Sequence, residues 1–262
     1  VLFRSHRSGW INYWAVPVGG GEPHQYCPQA ADQSGATWSP DGRQLAFLSN
    51  TNGTVALSGC DADGSNAHVL VAPAQGVCAA PAWSPDGATI AFFRSAPDDT
   101  QDLWLVEVAS GTARRVTDTL PVGLRGQLLQ PEKITYSSFD GLPIHAYVYR
   151  PTASAANQRV PAMLHIHGGP TSQFYDAFDP LAQFLAMRGY AVLMALFTQV
   201  PFALRDAGLT ERHHWWLYLP VLVIAVALIL PFRRRTDRPG QAKPAMVAAI
   251  VAEHGRIDIL IN

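Results

Sequence analysis

Two stretches of this chain are nearly the same sentence. Ala36-Thr-Trp-Ser-Pro-Asp-Gly-Arg-Gln-Leu-Ala-Phe47 recurs as Pro81-Ala-Trp-Ser-Pro-Asp-Gly-Ala-Thr-Ile-Ala-Phe92, with Trp38 and Trp83 marking a period of 45 residues. A period of that size with several strands per unit is what the blades of a β-propeller show. In each Ser-Pro-Asp-Gly the proline fixes φ at the first corner and the glycine accepts φ > 0, and an alternating run such as Leu45, Phe47 follows, so the motif reads as a hairpin. Trp38 and Trp83 are expected at equivalent positions of equivalent blades.

A second hairpin follows each first one. Thr54 to Cys60 leads through Asp61-Ala-Asp-Gly64 into His68 to Val71, and Asp102 to Val108 leads through Ala109-Ser-Gly111 into Ala113 to Thr117. Tyr13 to Val18, Gly19-Gly-Gly21 and Glu22 to Gln25 repeat that second half, with Trp14 two periods before Trp104. Residues 9–125 therefore read as two four-stranded blades and the end of a third. Propellers need at least about four blades, so either blades before Val1 or a second copy of the sheets must complete a ring. Val1-Leu-Phe-Arg-Ser5 matches the translation of a widely used sequencing-adapter tail, so residues 1–5 are expected to be an artefact and the repeat to have begun upstream. Asp61-x-Asp63-Gly64 lacks the later ligands of a calcium loop and reads as a polar turn. Gly19-Gly-Gly21 reads as a turn too, because no helix start or lysine follows it.

Composition excludes some partners. The 262 residues are 48% hydrophobic and 15% charged with a net charge of −1, which fits neither a disordered tail nor a nucleic-acid-binding protein. Cys27, Cys60 and Cys78 form no C-x-x-C pattern, so a zinc ribbon or redox dithiol is disfavoured. Three buried free thiols are expected, with one disulfide plus one thiol as the alternative, and the compartment stays open.

After Pro131 the texture changes. Ile134-Thr-Tyr-Ser-Ser138, a Phe139-Asp-Gly141 turn and Pro143 to Tyr149 make a hairpin, Pro151 to Gln158 is a small-residue loop, and Val160 to Ile166 is a buried strand. That strand runs into His167-Gly168-Gly169-Pro170. Pro180 to Arg188 has helical spacing, with Leu181, Phe184 and Leu185 on one face and Gly189 as its stop; Tyr190 to Leu196 is another apolar strand. Strand, His-Gly-Gly loop, helix, strand is the front end of an α/β-hydrolase, whose loop after the third strand lends backbone N–H groups to an oxyanion hole. Glycines suit that loop because the backbone must approach a developing alkoxide closely. His165 and His167, two apart on a strand, point to opposite faces and are not expected to share a metal.

The order of these parts carries a family resemblance. Ser-Pro-Asp-Gly repeats, then Ile134 to Pro151, then Leu164-His-Ile-His-Gly-Gly-Pro170 resemble the prolyl oligopeptidase family of serine peptidases, above all its acylaminoacyl-peptidase and dipeptidyl-aminopeptidase-like branch. The resemblance covers about Gly9 to Met194. It implies WD40-like or TolB-like propeller blades that filter substrates by size, and an α/β-hydrolase (residues 131–196) that cuts short peptides through a Ser-Asp-His triad. Only His167, Gly168, Gly169 and Pro170 carry over as site residues. No triad member can be assigned, since Ser172 is the last serine, no cysteine follows Cys78 and no Gly-x-Ser-x-Gly occurs. No cofactor is expected.

The last 68 residues differ again. Residues 195–262 carry net +3 against −4 for residues 1–194, and Trp215 to Phe232 is eighteen residues without a charge. At 1.5 Å per residue such a helix spans about 27 Å, near the thickness of a hydrocarbon core, and Arg233-Arg-Arg235 and Arg238 would then face the cytoplasm. Residues 198–240 thus read as a transmembrane segment resembling a major-facilitator transporter fragment, with membrane contact through Trp215 to Phe232; a buried helix interrupted by Pro220 and Pro231 is the plainer alternative. Residues 244–262 read as an amphipathic helix, Gly255 and a strand, and Gly255-Arg-Ile-Asp-Ile-Leu-Ile-Asn262 resembles a short-chain dehydrogenase segment. No Gly-x-x-x-Gly-x-Gly loop precedes it, so nicotinamide binding does not follow.

The fold expected is therefore mixed: a partial β-propeller, the first part of an α/β-hydrolase domain, then a hydrophobic helix. The expected function is a prolyl-oligopeptidase-like serine peptidase present as a truncated, inactive chimera. A membrane-tethered propeller binding module and a dehydrogenase fragment are the alternatives. The parent peptidase would be cytoplasmic or periplasmic and the tail membrane-associated.

Overall fold

The computed structural model describes residues 1–137, 143–151, 160–167, 172–195 and 257–261, and divides the chain into two units. Unit 1 comprises Val1–Pro131 and Phe174–Met187; unit 2 comprises Glu132–Gln173 and Arg188–Asn262.

Unit 1 is built of antiparallel sheets. β1 (Leu2–Ser5), β2 (Asn12–Ala15) and β3 (His24–Tyr26) form one. β4 (Asp32–Trp38), β5 (Gln44–Thr51), β6 (Thr54–Asp61) and β7 (His68–Val71) form a blade; β8 (Val77–Trp83), β9 (Thr89–Ala96), β10 (Asp99–Glu107) and β11 (Ala113–Arg115) form the next. The two blades join along one edge at a single parallel pair, Val55 with Val77. Leu2–Ser5, within the segment set apart as an artefact, pairs with β2 from Leu2 opposite Ala15 to Ser5 opposite Asn12.

The repeat is reproduced atom for atom at its turns. Ser39 Oγ donates to Asp41 (2.7 Å) and accepts from the Gln44 N–H (2.9 Å), while Asp41 also accepts from the Arg43 N–H (3.0 Å). One period later Ser84, Asp86, Ala88 and Thr89 make the same three bonds. Gly42 and Gly87 hold φ of 69° and 71°, the left-handed region that glycine enters without penalty. The serine hydroxyl and then the backbone N–H hold Asp41 and Asp86 below the usual carboxylate range. Trp38 and Trp83 stand opposite Leu45 and Ile90, each just past an irregularity in β4 or β8, so the two tryptophans are equivalent as expected. Asp61 to Gly64 is a turn whose Asp63 carboxylate accepts from Ser65 N–H and Oγ.

Side chains alternate between two interfaces, as pleating requires. Leu45 and Phe47 pack with Tyr13, Tyr26 and Cys27 of the three-stranded sheet, while Ala46, Leu48, Val55 and Leu57 pack with Cys78, Ile90, Phe92 and Val106 of the second blade. Trp83 Nε1 donates across that second interface to the Thr37 carbonyl at 3.1 Å. The three free thiols expected from the sequence are corrected: Cys27 and Cys60 form a disulfide with Cα atoms 6.4 Å apart. Packing of neighbouring sheets brings these two together, and residue spacing alone does not show which faces meet. Cys78 stays free and buried, its thiol pushed up to about 11 by burial.

A buried carboxylate organises the second blade. Asp102 accepts from Thr117 Oγ1 (2.6 Å), the Thr119 N–H (3.0 Å) and Arg115, which also reaches Asp99 (3.0 Å) and Asp118 (3.3 Å). Burial by itself would raise the Asp102 carboxyl, but the Thr117 and Arg115 hydrogen bonds and the Arg115 charge outweigh it and hold the carboxyl below its ordinary range.

The helix expected over Pro180 to Arg188 forms as α1 (Pro180–Met187), capped by Asp179 Oδ1 accepting the Ala182 N–H at 2.8 Å, and Gly189 follows at φ 91°. Its buried side chains are Ala182, Gln183 and Ala186, while Phe184 is exposed. The reason is polar: Gln183 donates to the carbonyls of Pro97 and Leu129 and accepts the Leu129 N–H, so its amide satisfies backbone groups that an apolar face would leave unpaired. In the same segment Asp176 donates its N–H to the Gly53 carbonyl and accepts from Thr54 Oγ1.

Unit 2 is a five-stranded mixed sheet of β12 (Glu132–Ser137), β13 (Pro143–Tyr149), β14 (Ala162–Ile166), β15 (Ala191–Ala195) and β16 (Ile257–Ile261), in the order β12-β13-β15-β14-β16. β13 is antiparallel to β12 and β15, whereas β14 runs parallel to both β15 and β16. Ala146 and Leu193 centre its core, with Ile134, Tyr136, Val148 and Leu164 against them. The Phe139 to Gly141 turn and Thr152 to Gln158 of the small-residue loop lie outside the described residues, as do Trp215 to Phe232 and the helix expected before Gly255. No helix among the described residues is long and apolar enough to cross a membrane, and nothing described supports membrane contact.

Candidate functional site

Parallel strands set where a site can form. Ile166 stands opposite Ala195 on one side and Ile261 on the other, so β14, β15 and β16 end together on one edge of the sheet. β14 is the middle strand of the three: the chain leaves it for β15 on one side, and β16 lies on the other. In open α/β sheets ligands bind outside such carboxyl ends, where connections diverge. The residue that follows β14 at that edge is His167.

His167 is half-buried, just past the strand, and the other three predicted site residues, Gly168, Gly169 and Pro170, lie outside the described residues. His165 is buried within β14, in register with Met194 and Leu260. The sheet thus brings His167 to the carboxyl edge of three parallel strands. Backbone N–H groups at such an edge can stabilise a developing oxyanion only with a nucleophile supplied from elsewhere. Among the described residues no group of three or more His, Cys, Asp or Glu side chains could hold a metal ion.

Sequence reading missed three side chains that hold unit 1 together. Asp102 carries a signal, since it stands opposite Arg94 as Ala56 stands opposite Ser49, a charged residue where the preceding blade has an apolar one. Asp176 and Gln183 carry none, because their partners Thr54, Pro97 and Leu129 are distant in sequence and fixed only by the fold.

Comparison with known proteins agrees with this architecture. No family model matches the chain. An uncharacterized peptidase, YuxL of Bacillus subtilis, is 35% identical over 63 residues, which are 24% of this chain and 10% of that protein. A puromycin-hydrolyzing peptidase of Mycobacterium tuberculosis superposes with a TM-score of 0.63 at 23% identity, covering 74% of this chain and 31% of that one. One of two prolyl endopeptidases analysed for inter-domain dynamics superposes with a TM-score of 0.60 at 14% identity, covering 71% and 28%. The chain therefore spans about a third or less of the proteins it resembles. Its N-terminal part has a mostly β-sheet fold similar to the propeller domain of those peptidases.

Proposed function

We propose that residues 9–195 are the blade-and-oxyanion portion of a prolyl-oligopeptidase-like serine peptidase acting on short peptides. The observation that carries this reading is the shared carboxyl end of the parallel pair β14 and β15, with His167 directly after β14. Numbered in chain order the four strands before residue 196 lie 1-2-4-3, so the loop follows the third strand, where an α/β-hydrolase has its oxyanion donors. Gly168 and Gly169 would direct N–H groups at the tetrahedral oxygen while the blades restrict entry to short chains.

In that fold the nucleophilic serine follows the oxyanion loop on a strand-to-helix elbow. Ser172 lies two residues beyond Pro170, inside the loop itself, and no Gly-x-Ser-x-Gly occurs in the 262 residues, so this polypeptide supplies the oxyanion side alone. The residues after Met194 are read as a foreign, chimeric continuation, residues 198–240 apolar and basic and residues 244–262 dehydrogenase-like. Reading the genomic locus tests this. Continuation past Met194 into a Gly-x-Ser-x-Gly elbow is the expected result; a natural gene running unchanged through Trp215 to Phe232 would contradict it.

A further inference from the structure

The Cys27–Cys60 link lies inside the contact between two sheets. Cys27 directly follows β3 of the three-stranded sheet and Cys60 belongs to β6 of the first blade; each is 1% exposed, packed with Tyr13, Tyr26, Leu45 and Phe47. The chain at Cys27 is held too, since its carbonyl accepts from Gln33 Nε2 at 2.6 Å and Gln33 Oε1 accepts the Tyr13 N–H at 2.8 Å. Gln33 is itself buried.

Pleating decides which thiols can meet. Cys60 stands opposite Leu45 and packs on the same side of the first blade, whereas Ala46, Leu57 and Cys78 pack in the contact between the two blades. In that second contact Val106 stands opposite Ile90 as Cys60 stands opposite Leu45, so Cys78 meets no second thiol there. Burial also pushes the Cys78 thiol up to about 11, which leaves little thiolate to attack a disulfide. One pairing of the three is therefore selected by the fold.

We propose that the Cys27–Cys60 link is a maturation lock: it is made while the three-stranded sheet is still undocked from the first blade, and docking then seals it against external thiols. Exchange requires a thiolate to reach a disulfide sulfur, and both sulfurs are covered once the sheets pack. In the forward step Cys27 and Cys60 give up two protons and two electrons as the Sγ–Sγ bond forms. An external disulfide such as oxidised glutathione takes the electrons through a mixed disulfide and is cleaved to two thiols. Reduction retraces that path and so requires the same opening. The folding chain thus needs an oxidant around it, which oxidising compartments supply and a thiol-rich cytosol does not.

The test is the rate at which dithiothreitol opens the link in the whole chain, refolded in a glutathione buffer. Released thiols are trapped with iodoacetamide and located by mass spectrometry, in buffer and in urea. Cys27 and Cys60 should be released together, about a hundredfold or more slowly in buffer than in urea, because attack waits on local opening. Phe47→Ala, which loosens the contact over the link, should close most of that gap; Phe47→Leu replaces it if circular dichroism shows that it does not fold. Cys78→Ser should leave both rates unchanged. Release in buffer within a few-fold of that in urea would overturn the proposal. Three free thiols after refolding with glutathione, or a link that includes Cys78, would overturn it as well.

Discussion

Unit 1 and unit 2 are both sheets, yet they are assembled by different rules. In unit 1 sequential strands pair antiparallel through short turns, and the one parallel contact is Val55 with Val77. In unit 2 the strands that matter for the site run parallel, and β14 pairs with β16 across most of the intervening chain. Antiparallel hairpins are specified by a few adjacent residues, whereas parallel pairing needs a long crossover and carries the cost of closing its loop. Unit 1 is accordingly defined by local chemistry and by what its blades bury, and unit 2 by where distant strands end.

The largest expected effect comes from the blade interface. Phe47 is fully buried between the first two sheets, so Phe47→Ala should cost about 4 kcal/mol and lower the unfolding of unit 1, read by urea titration with tryptophan fluorescence. An unchanged midpoint would deny that this interface holds the sheets together. Reducing the Cys27–Cys60 link, which closes a span of 33 residues, should cost about 3 to 4 kcal/mol, seen as a fall in Tm on adding dithiothreitol that Cys60→Ser abolishes.

Acid should act through Asp102. Its folded carboxyl lies below the unfolded value, so its stabilisation is present at neutral pH and is lost as pH falls through the lowered folded value. Asp102→Asn should therefore cost about 2 to 3 kcal/mol at neutral pH and flatten the acid limb of the stability curve. A variant with an unaltered acid limb would show that another group governs it. The smallest effect sharpens the repeat itself. Ser39→Ala and Ser84→Ala remove the same turn bonds and should each cost about 1 kcal/mol, equal within a few tenths by chemical denaturation.

What could be read from the sequence follows the same division. The Ser-Pro-Asp-Gly turns, the equivalence of Trp38 with Trp83 and of Trp14 with Trp104, and the strand ending at Ile166 were legible because turn residues and alternation act over a few positions. The Cys27–Cys60 link, the Gln183 contacts with Pro97 and Leu129, and the buried face of α1 were not, because each depends on which surfaces meet in three dimensions. At the site, the apolar strand ending at Ile166 with His167 after it was legible, while Gly168 to Pro170 lie outside the described residues. That β14 is flanked by β15 and β16, so that three carboxyl ends share its edge, belongs to strand order and had no local signal.

The proposed reading assigns His167 to Pro170 as an oxyanion loop with no nucleophile in the 262 residues to use it. Acyl transfer requires nucleophile, base and oxyanion donors together, and losing the nucleophile alone costs on the order of a millionfold. The most direct measurement exposes the purified chain to a chromogenic acyl-peptide and to a fluorophosphonate probe. Neither turnover above background nor a labelled serine is expected; turnover together with a covalently labelled serine would contradict the proposed reading.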